Sequence, residues 1–310
     1  MKTPKNQINL DASYETGLVC EIQKTSINVL TQANQTVFCS LDHAVFPKGT
    51  AAFAIGDRVS WQPTGHEQGM IRMRHPRHHL LTRPRTDGAR WGQSEEHILA
   101  ANIDLVVITA SAARPAFKPR FIDRYQVICQ RSQIPAVICI NKVDLVKTPP
   151  DLAMFQELGI PVIYASVLTG SGLDELTNFL KGKIAVFTGH SGVGKSSLVN
   201  ALLDSDARRI GPVHENTGKG KHTTVSSTLQ PLSGGGYIID TPGIRTLGLG
   251  EMQLAELLQY FPEFDRVTCR FNNCRHQQEP GCGVLQAVKS GRLPAGRYES
   301  YLRLAAEVKR

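Results

Sequence analysis

The hydrophobic pattern of the first quarter of the chain predicts short β-strands. Between about residues 14 and 82, alternating or β-branched runs are separated by polar turns, and the clearest runs are 17–22, 27–30, 36–39 and 57–61. About five strands in this length favour a small Greek-key barrel of the OB type, which commonly binds oligonucleotides. A different small β-barrel used for protein contacts is the alternative, and the pattern alone barely separates the two.

From residue 101 onward the pattern becomes that of an α/β fold. Compact apolar runs at 103–109, 136–140 and 161–165 alternate with helix-like segments at 121–131 and 152–158. Such alternation predicts buried parallel strands joined by right-handed helical crossovers. After about residue 250 the pattern is helical, and 294–310 is amphipathic. We therefore expect a multi-domain chain: an OB-type barrel (1–92), a central α/β domain (93–249) and a helical C-terminal domain (250–310).

Charge and cysteine content narrow the choice of partners. The net charge of +8 favours an anionic partner such as nucleic acid. A dense basic stretch follows the predicted barrel strands and favours nucleic-acid contact over a merely solvated face: Arg72, Arg74, His75, Arg77, His78, His79, Arg83, Arg85 and Arg90. The odd number of cysteines, seven, argues against a disulfide framework. The chain starts with polar residues and has no apolar run long enough to span a bilayer, so we predict a cytoplasmic protein without membrane contact. We expect it to be a monomer.

A phosphate-binding loop is the strongest motif. Residues 189–196 have the spacing G-x-x-x-x-G-K-S between an apolar run and a helix-like segment. A strand, a glycine-rich loop and a helix in this order form a cradle of backbone N–H groups for phosphates. Lys195 can reach the β and γ oxygens, and the Ser196 hydroxyl can bind Mg²⁺. The predicted nucleotide contacts here are Gly189, His190, Ser191, Gly192, Val193, Gly194, Lys195, Ser196 and Ser197.

A second motif predicts that the base is guanine. Asn141, Lys142 and Asp144 lie at the end of a predicted strand, where open α/β sheets place their ligands. The Asp144 carboxylate can accept from guanine N1–H and the exocyclic amine, groups that adenine does not offer. Asn141 would contact the purine edge, Lys142 would pack along the base, and Ser166 would contact the guanine carbonyl.

The remaining nucleotide motif stands last in the chain. Asp240 can hold Mg²⁺ and the Gly243 amide can bind the γ-phosphate, while Thr223 and Thr224 are candidates for a switch that closes over the metal. The base-reading motif therefore precedes the phosphate loop, which is the reverse of the order in ordinary small GTPases. This order resembles that of a circularly permuted GTPase.

Taken together, these residues resemble the RsgA (YjeQ) family of small-subunit-dependent GTPases over nearly the whole chain. The motifs that carry the resemblance are 81–84, 141–144, 189–196, 220–224 and 240–243. The resemblance implies an OB barrel, a permuted GTPase domain and a C-terminal zinc-binding domain. It also implies action late in small ribosomal subunit maturation, rRNA contact, and weak GTP hydrolysis that the subunit stimulates. Two departures, His190 in place of a common Gln and Val225 in place of a common Thr, remove no group that must touch phosphate or metal.

The position that usually orients the attacking water carries a side chain that cannot do so in this chain. Ile244 follows Gly243 where small signalling GTPases carry glutamine, and its side chain cannot hydrogen-bond to water. His222, beside the switch threonines, is the candidate, and the resemblance supports it. A basic switch residue that contacts RNA is the alternative.

A cysteine cluster near the C-terminus predicts a metal site. Cys269, Cys274, His276 and Cys282 have the spacing C-x₄-C-x-H-x₅-C. Three thiolates and one imidazole fill a closed tetrahedral Zn²⁺ site, which suits a structural rather than a catalytic role. We expect one zinc per chain, and Mg²⁺ together with GTP.

Three alternatives to a ribosome-associated GTPase were weighed. An RNA-binding translation factor could use GTP only as a conformational ligand. An ATP-dependent kinase or ATPase is disfavoured by the motif at 141–144. A membrane-associated signalling GTPase is disfavoured because no lipidation motif is present.

Overall fold

The computed structural model describes residues 14–83, 97–209, 227–232, 234–240 and 249–308. It contains a closed barrel, a six-stranded sheet with helices on both faces, and a C-terminal group of helices. In the described ranges an all-β region is followed by an α/β region and then by a helical region.

The barrel is built by five strands: β1 (Glu15–Ile22), β2 (Ile27–Thr31), β3 (Thr36–Leu41), β4 (Arg58–Gly65) and β5 (Gln68–Arg74). Its order is β1-β2-β3-β5-β4, and β1 pairs with β4 to close it. The hydrophobic pattern predicted about five strands, but none of its four clearest runs covers β5, where Ile71, Arg72, Met73 and Arg74 alternate apolar and basic side chains. Gly69 is required there because a Cβ atom would collide with the ring of Trp61.

The central sheet has the order β10-β9-β8-β11-β13-β12, with every pair parallel except β12 and β13. Its strands are β8 (Leu105–Ser111), β9 (Ala136–Asn141), β10 (Val162–Tyr164), β11 (Ile184–Gly189), β12 (Thr228–Pro231) and β13 (Tyr237–Asp240). The helices between them are α1 (Pro119–Arg131), α2 (Ala153–Glu157), α3 (Leu173–Leu180) and α4 (Lys195–Arg209).

Alternate residues of the buried strands face two separate apolar clusters. On β8, Val106 and Ile108 join the cluster that contains α1 and the C-terminal helices. Leu105 and Val107 join the cluster beneath α3 and α4. Because a sheet covered on both faces needs apolar side chains at successive positions, these strands appear in the sequence as continuous hydrophobic runs.

The C-terminal region packs against α1. Its helices are α5 (Leu254–Leu258), α6 (Gly283–Lys289) and α7 (Ala295–Glu307), with a 3-10 turn at Pro262–Arg266. The apolar side of α7 carries Tyr298, Tyr301, Leu304 and Ala305, all buried, as its amphipathic pattern predicts. None of the described helices combines the length and apolarity that crossing a bilayer requires.

A hairpin connects the barrel to the sheet. It consists of β6 (Leu80–Arg83) and β7 (His97–Ala101). Ile55 of the barrel forms a parallel bridge with Ala100, and the Ala101 N–H donates to Ile55 O at 2.8 Å. The hairpin therefore joins the barrel directly to the strand that enters the sheet.

Candidate nucleotide site and metal centre

The phosphate loop lies between β11 and the first turn of α4. Gly192 and Gly194 have φ angles of +80° and +91°, which L-residues rarely adopt. A Cβ atom on Gly194 would also collide with the side-chain amide of Asn141. The loop conformation and its close contact with the neighbouring motif therefore both require glycine at 194. His190, Ser191, Ser196 and Ser197 are exposed along the loop and the helix start, and Lys195 is half-buried.

The base-reading motif contacts this loop through two side chains. Asn141 Nδ2 donates to Val193 O at 2.9 Å. Lys142 Nζ donates to Gly192 O and to Arg114 O, both at 2.6 Å. Lys142 itself adopts a left-handed conformation, with φ of +63°, as it leaves β9. The structure thus brings together two motifs about 50 residues apart at the carboxyl edge of the sheet.

Asp144 is exposed and is oriented by a buried neighbour. Ser166 Oγ donates to Asp144 Oδ1 at 2.5 Å, and Ser166 itself is fully buried after β10. The Thr169 N–H donates to the same hydroxyl oxygen at 3.2 Å. Ser166 therefore positions the carboxylate, a role that the sequence did not suggest. The second carboxylate oxygen, Oδ2, is not part of this bond.

His190 lies beside a small cavity on the other flank of the loop. Its ring lies against that of Phe121, with centroids 4.3 Å apart and the two planes tilted by 44°. The cavity has a volume of about 200 Å³ and is lined by residues that include Thr109, Ser111, Lys118 and Phe121. Partial desolvation of its ring, and then the positive charge of Lys118, lower the pKa of His190 and so favour the neutral imidazole. Nothing in the sequence indicated the contact with Phe121, because it joins two separate elements.

Several predicted site residues lie outside the described residues. These are His222, Thr223, Thr224 and Gly243, together with the departures Val225 and Ile244. The backbone of Asp240 ends β13, next to the strand that leads into the phosphate loop. Of the predicted basic stretch, Arg85 and Arg90 also lie outside.

The four predicted metal ligands come together in space. One potential ligand atom from each of Cys269, Cys274, His276 and Cys282 lies within 4.8 Å of all the others. Cys269 Sγ lies 3.4 Å from His276 Nδ1 and 4.0 Å from Cys282 Sγ. The donor set fits a tetrahedral ion, and it is compatible with a structural zinc. The remaining cysteines, Cys20, Cys39, Cys129 and Cys139, are buried and distant from this cluster in the sequence.

Local hydrogen bonds prepare the cluster for a cation. Burial raises the pKa of the Cys269 thiol, but hydrogen bonds from the N–H groups of Gly283 and Val284, together with those of Cys274 and Cys282, leave that pKa below its usual value. The Gly283 N–H donates to Cys269 Sγ at 3.2 Å. Burial lowers the pKa of His276, which keeps its imidazole neutral and able to ligate. Both shifts favour the protonation states that metal binding requires, whereas burial raises the pKa of the Cys274 thiol to about 12.

The phosphate loop and the N-K-x-D motif lie on one edge of the sheet, and the N-K-x-D strand comes earlier in the chain. This arrangement defines a circularly permuted P-loop GTPase. Residues 74–250 match the family model described as RsgA GTPase. The chain belongs to this family, and it is a GTP-hydrolysing enzyme.

Relatives support the same assignment over most of the chain. A protein of Chlorobaculum parvum named small ribosomal subunit biogenesis GTPase RsgA is 40% identical over 266 residues, covering 83% of this chain and 86% of the relative. The protein of that name from Actinobacillus pleuropneumoniae is 36% identical over 302 residues, and the alignment covers 93% of this chain and 84% of that relative.

Two solved structures share the fold. The crystal structure of YjeQ from Thermotoga maritima has a TM-score of 0.70 and 30% identity, covering 95% of this chain and 98% of that one. The structure of YloQ, described as a circularly permuted GTPase, has a TM-score of 0.67 and 26% identity, covering 95% of each chain. The permuted order inferred from the motifs is thereby supported by similarity of the whole fold.

Proposed function

We propose that the chain binds the small ribosomal subunit and acts late in its maturation, hydrolysing GTP with turnover that the subunit stimulates. The relatives carry the name small ribosomal subunit biogenesis GTPase. The proposal that the chain binds GTP rests on the hydrogen bonds that Asn141 and Lys142 donate to carbonyl oxygens of the phosphate loop. One nucleotide can therefore touch both motifs with its base and its phosphates.

The proposed roles follow from this juxtaposition. Asp144 accepts from the guanine edge, with Ser166 holding its other oxygen, and residues 189–197 surround the phosphates. Mg²⁺, which shields phosphate charge, would be held by Ser196 with Thr224 and Asp240. Thr223, Thr224 and Gly243 would respond to the γ-phosphate. His222 is proposed to orient the attacking water, since Ile244 has no hydrogen-bonding group.

The flanking regions would contact the subunit. We assign residues 1–92 to an OB-type RNA-binding domain, 93–249 to the permuted GTPase domain and 250–310 to a zinc-binding helical domain. Zinc would be held by Cys269, Cys274, His276 and Cys282, where it crosslinks the loop. The closed five-stranded barrel and the net charge of +8 favour rRNA as the ligand of the first domain. A cytoplasmic monomer fits this role.

The decisive experiment is a turnover measurement with purified small ribosomal subunits. We expect subunits to raise the rate of GTP hydrolysis, and GDP but not ADP to compete with GTP. His222→Ala should abolish the stimulated rate while leaving GTP affinity unchanged, because the residue acts on water rather than on the nucleotide. Turnover that subunits leave unchanged would favour a factor that uses GTP only as a conformational ligand. Equal competition by ADP would contradict the guanine assignment.

A further inference from the structure

Three arginines of the predicted basic stretch are already bound within the barrel. Arg72 donates to Asp42 and Gln62. Arg77 binds both carboxylate oxygens of the fully buried Asp57, at 2.6 and 2.7 Å. Arg74 donates to the carbonyl oxygen of Ala52 at 2.5 Å. These three arginines therefore stabilise the barrel, and their charge is a poor guide to where a ligand would bind.

A cleft between the barrel and the sheet carries Arg58 together with the described histidines of the basic stretch. Its volume is about 380 Å³, and its lining includes Arg58, His75, His78, His79, Asn102 and Asp104. Arg58 begins β4 and is exposed, and across the described ranges its guanidinium has no hydrogen-bond or ion-pair partner. The same holds for the ring of His78. A planar guanidinium with five donors and an adjacent imidazole can bind a phosphate group.

The walls of this cleft are held in place by other bonds. Asn102 Oδ1 accepts from the His78 N–H at 3.0 Å, while Asn102 Nδ2 donates to Gly56 O at 2.9 Å. His75 Nε2 lies 2.9 Å from Ser60 Oγ, and His79 Nδ1 donates to Ile103 O at 3.1 Å. The segment that presents His78 is therefore fixed to both the barrel and the sheet before any ligand arrives.

The charge is distributed unevenly between the two walls. Asp104, on the sheet side, accepts from the Ile184 N–H at 2.8 Å, and its carboxylate repels an anion. Arg58 and His75 belong to the barrel side. A phosphate group would therefore bind against the barrel wall, and the sheet wall would limit how deeply it enters.

We propose that this cleft binds a backbone phosphate of RNA through Arg58 and His78. The inference rests on the proposed function, because it names where the RNA partner touches the chain. An open cleft that spans two parts of the molecule suits a polymer backbone that continues beyond it on both sides. A free phosphate ion has the same local chemistry, so the two sources must be separated by experiment.

The test compares two arginine variants of the full chain in co-sedimentation with purified small subunits. Arg58→Gln removes an unpaired charge, and Arg72→Gln removes a charge of the same barrel that is already paired. A phosphate contact contributes about one to the slope of log affinity against log salt concentration. The advantage of wild type over Arg58→Gln should therefore be about threefold larger at 50 mM than at 200 mM salt. Arg72→Gln should keep the wild-type slope.

Further arms separate folding, charge and ligand source. Arg58→Gln should keep the wild-type melting temperature and intrinsic GTP hydrolysis, and Arg58→Lys should restore the slope but not all of the affinity. Equal slopes for wild type and Arg58→Gln would overturn the proposal while leaving the GTPase assignment intact. Absence of subunit binding by wild type would instead contradict the proposed function. Calorimetric binding of inorganic phosphate that Arg58→Gln abolishes, together with equal salt slopes for wild type and Arg58→Gln in subunit binding, would assign the cleft to a small anion and overturn the RNA assignment.

Discussion

The central sheet meets its two neighbours in different ways. The barrel is joined through the hairpin, by bonds such as that from Ala101 N to Ile55 O, and through apolar side chains that belong to the same hydrophobic cluster as one face of the sheet. The polar cleft lies beside these contacts. The C-terminal helices are joined through side chains, because Arg297 of α7 is buried and donates to Asp123 and Gln126 of α1. The same guanidinium donates to Glu263 at 2.5 Å, so that one residue connects three elements.

The difference indicates which neighbour moves with the sheet. The buried guanidinium of Arg297 can bind both carboxylates only when α1, α7 and the 3-10 turn are packed against one another. Burial raises the pKa of Asp123, although Arg297 opposes this shift, so the arrangement is sensitive to the loss of its cation. We infer that the C-terminal helices follow α1 closely, while the barrel junction leaves room for a ligand between its walls.

We expect the largest effect from removing the zinc that we propose for the C-terminal cluster. The cluster loop is tied to α7, since the Tyr298 hydroxyl donates to His276 O at 2.7 Å and the Tyr301 hydroxyl donates to Arg275 O. Structural zinc contributes roughly 10 kcal/mol or more of apparent binding free energy in small zinc domains. Chelation should therefore accelerate amide hydrogen exchange across α6 and α7 and leave β1–β5 unchanged. Unchanged exchange in α7 would show that its packing does not depend on the metal.

Arg297→Met should have the next largest effect. The substitution leaves Asp123 and Glu263 buried without their cation, and breaking such a buried pair lowers the free energy of unfolding by about 3–5 kcal/mol. Denaturant unfolding measures this change. Arg124→Met is the matched control on the same junction, because Arg124 pairs with an exposed carboxylate of Glu307. That variant should lose at most about 1 kcal/mol, and equal losses in the two variants would contradict the role of the buried network.

The smallest effect in this series is expected at the barrel. Arg77→Met removes the partner of buried Asp57, which keeps a hydrogen bond from the Ala54 N–H at 2.8 Å. Arg77 donates two bonds to Asp57, but it is more exposed than Arg297, so water can replace part of what is lost and we expect a cost of about 1.5–3 kcal/mol. Unfolding should be easier by this amount, and hydrogen exchange in α7 should stay as in wild type. Faster exchange in α7 would mean that the two junctions are coupled more tightly than their contacts suggest.

The local pattern predicted most of the elements, because each was encoded in neighbouring residues. The alternation on β3 and the continuous apolar runs of β8 and β9 report burial directly. None of the clearest runs covered β5, although Ile71, Arg72, Met73 and Arg74 alternate apolar and basic side chains, and the pattern could not show what Arg72 and Arg74 bind. Their side chains bond to Asp42 and Ala52, which are distant in sequence. A local pattern contains no information about such partners.

The sequence by itself determined the motifs of the nucleotide site, their permuted order and the spacing of the four metal ligands, because each is a short string whose chemistry depends on residue type. Only the tertiary structure decided which charges are paired. Arg77 and Arg58 are indistinguishable in the sequence, yet one binds Asp57 and the other lines a cleft without a partner among the described residues. Arg297 meets Asp123 across 174 positions. Such pairings exist only after folding has brought distant elements together, and burial then determines how strongly each pair contributes.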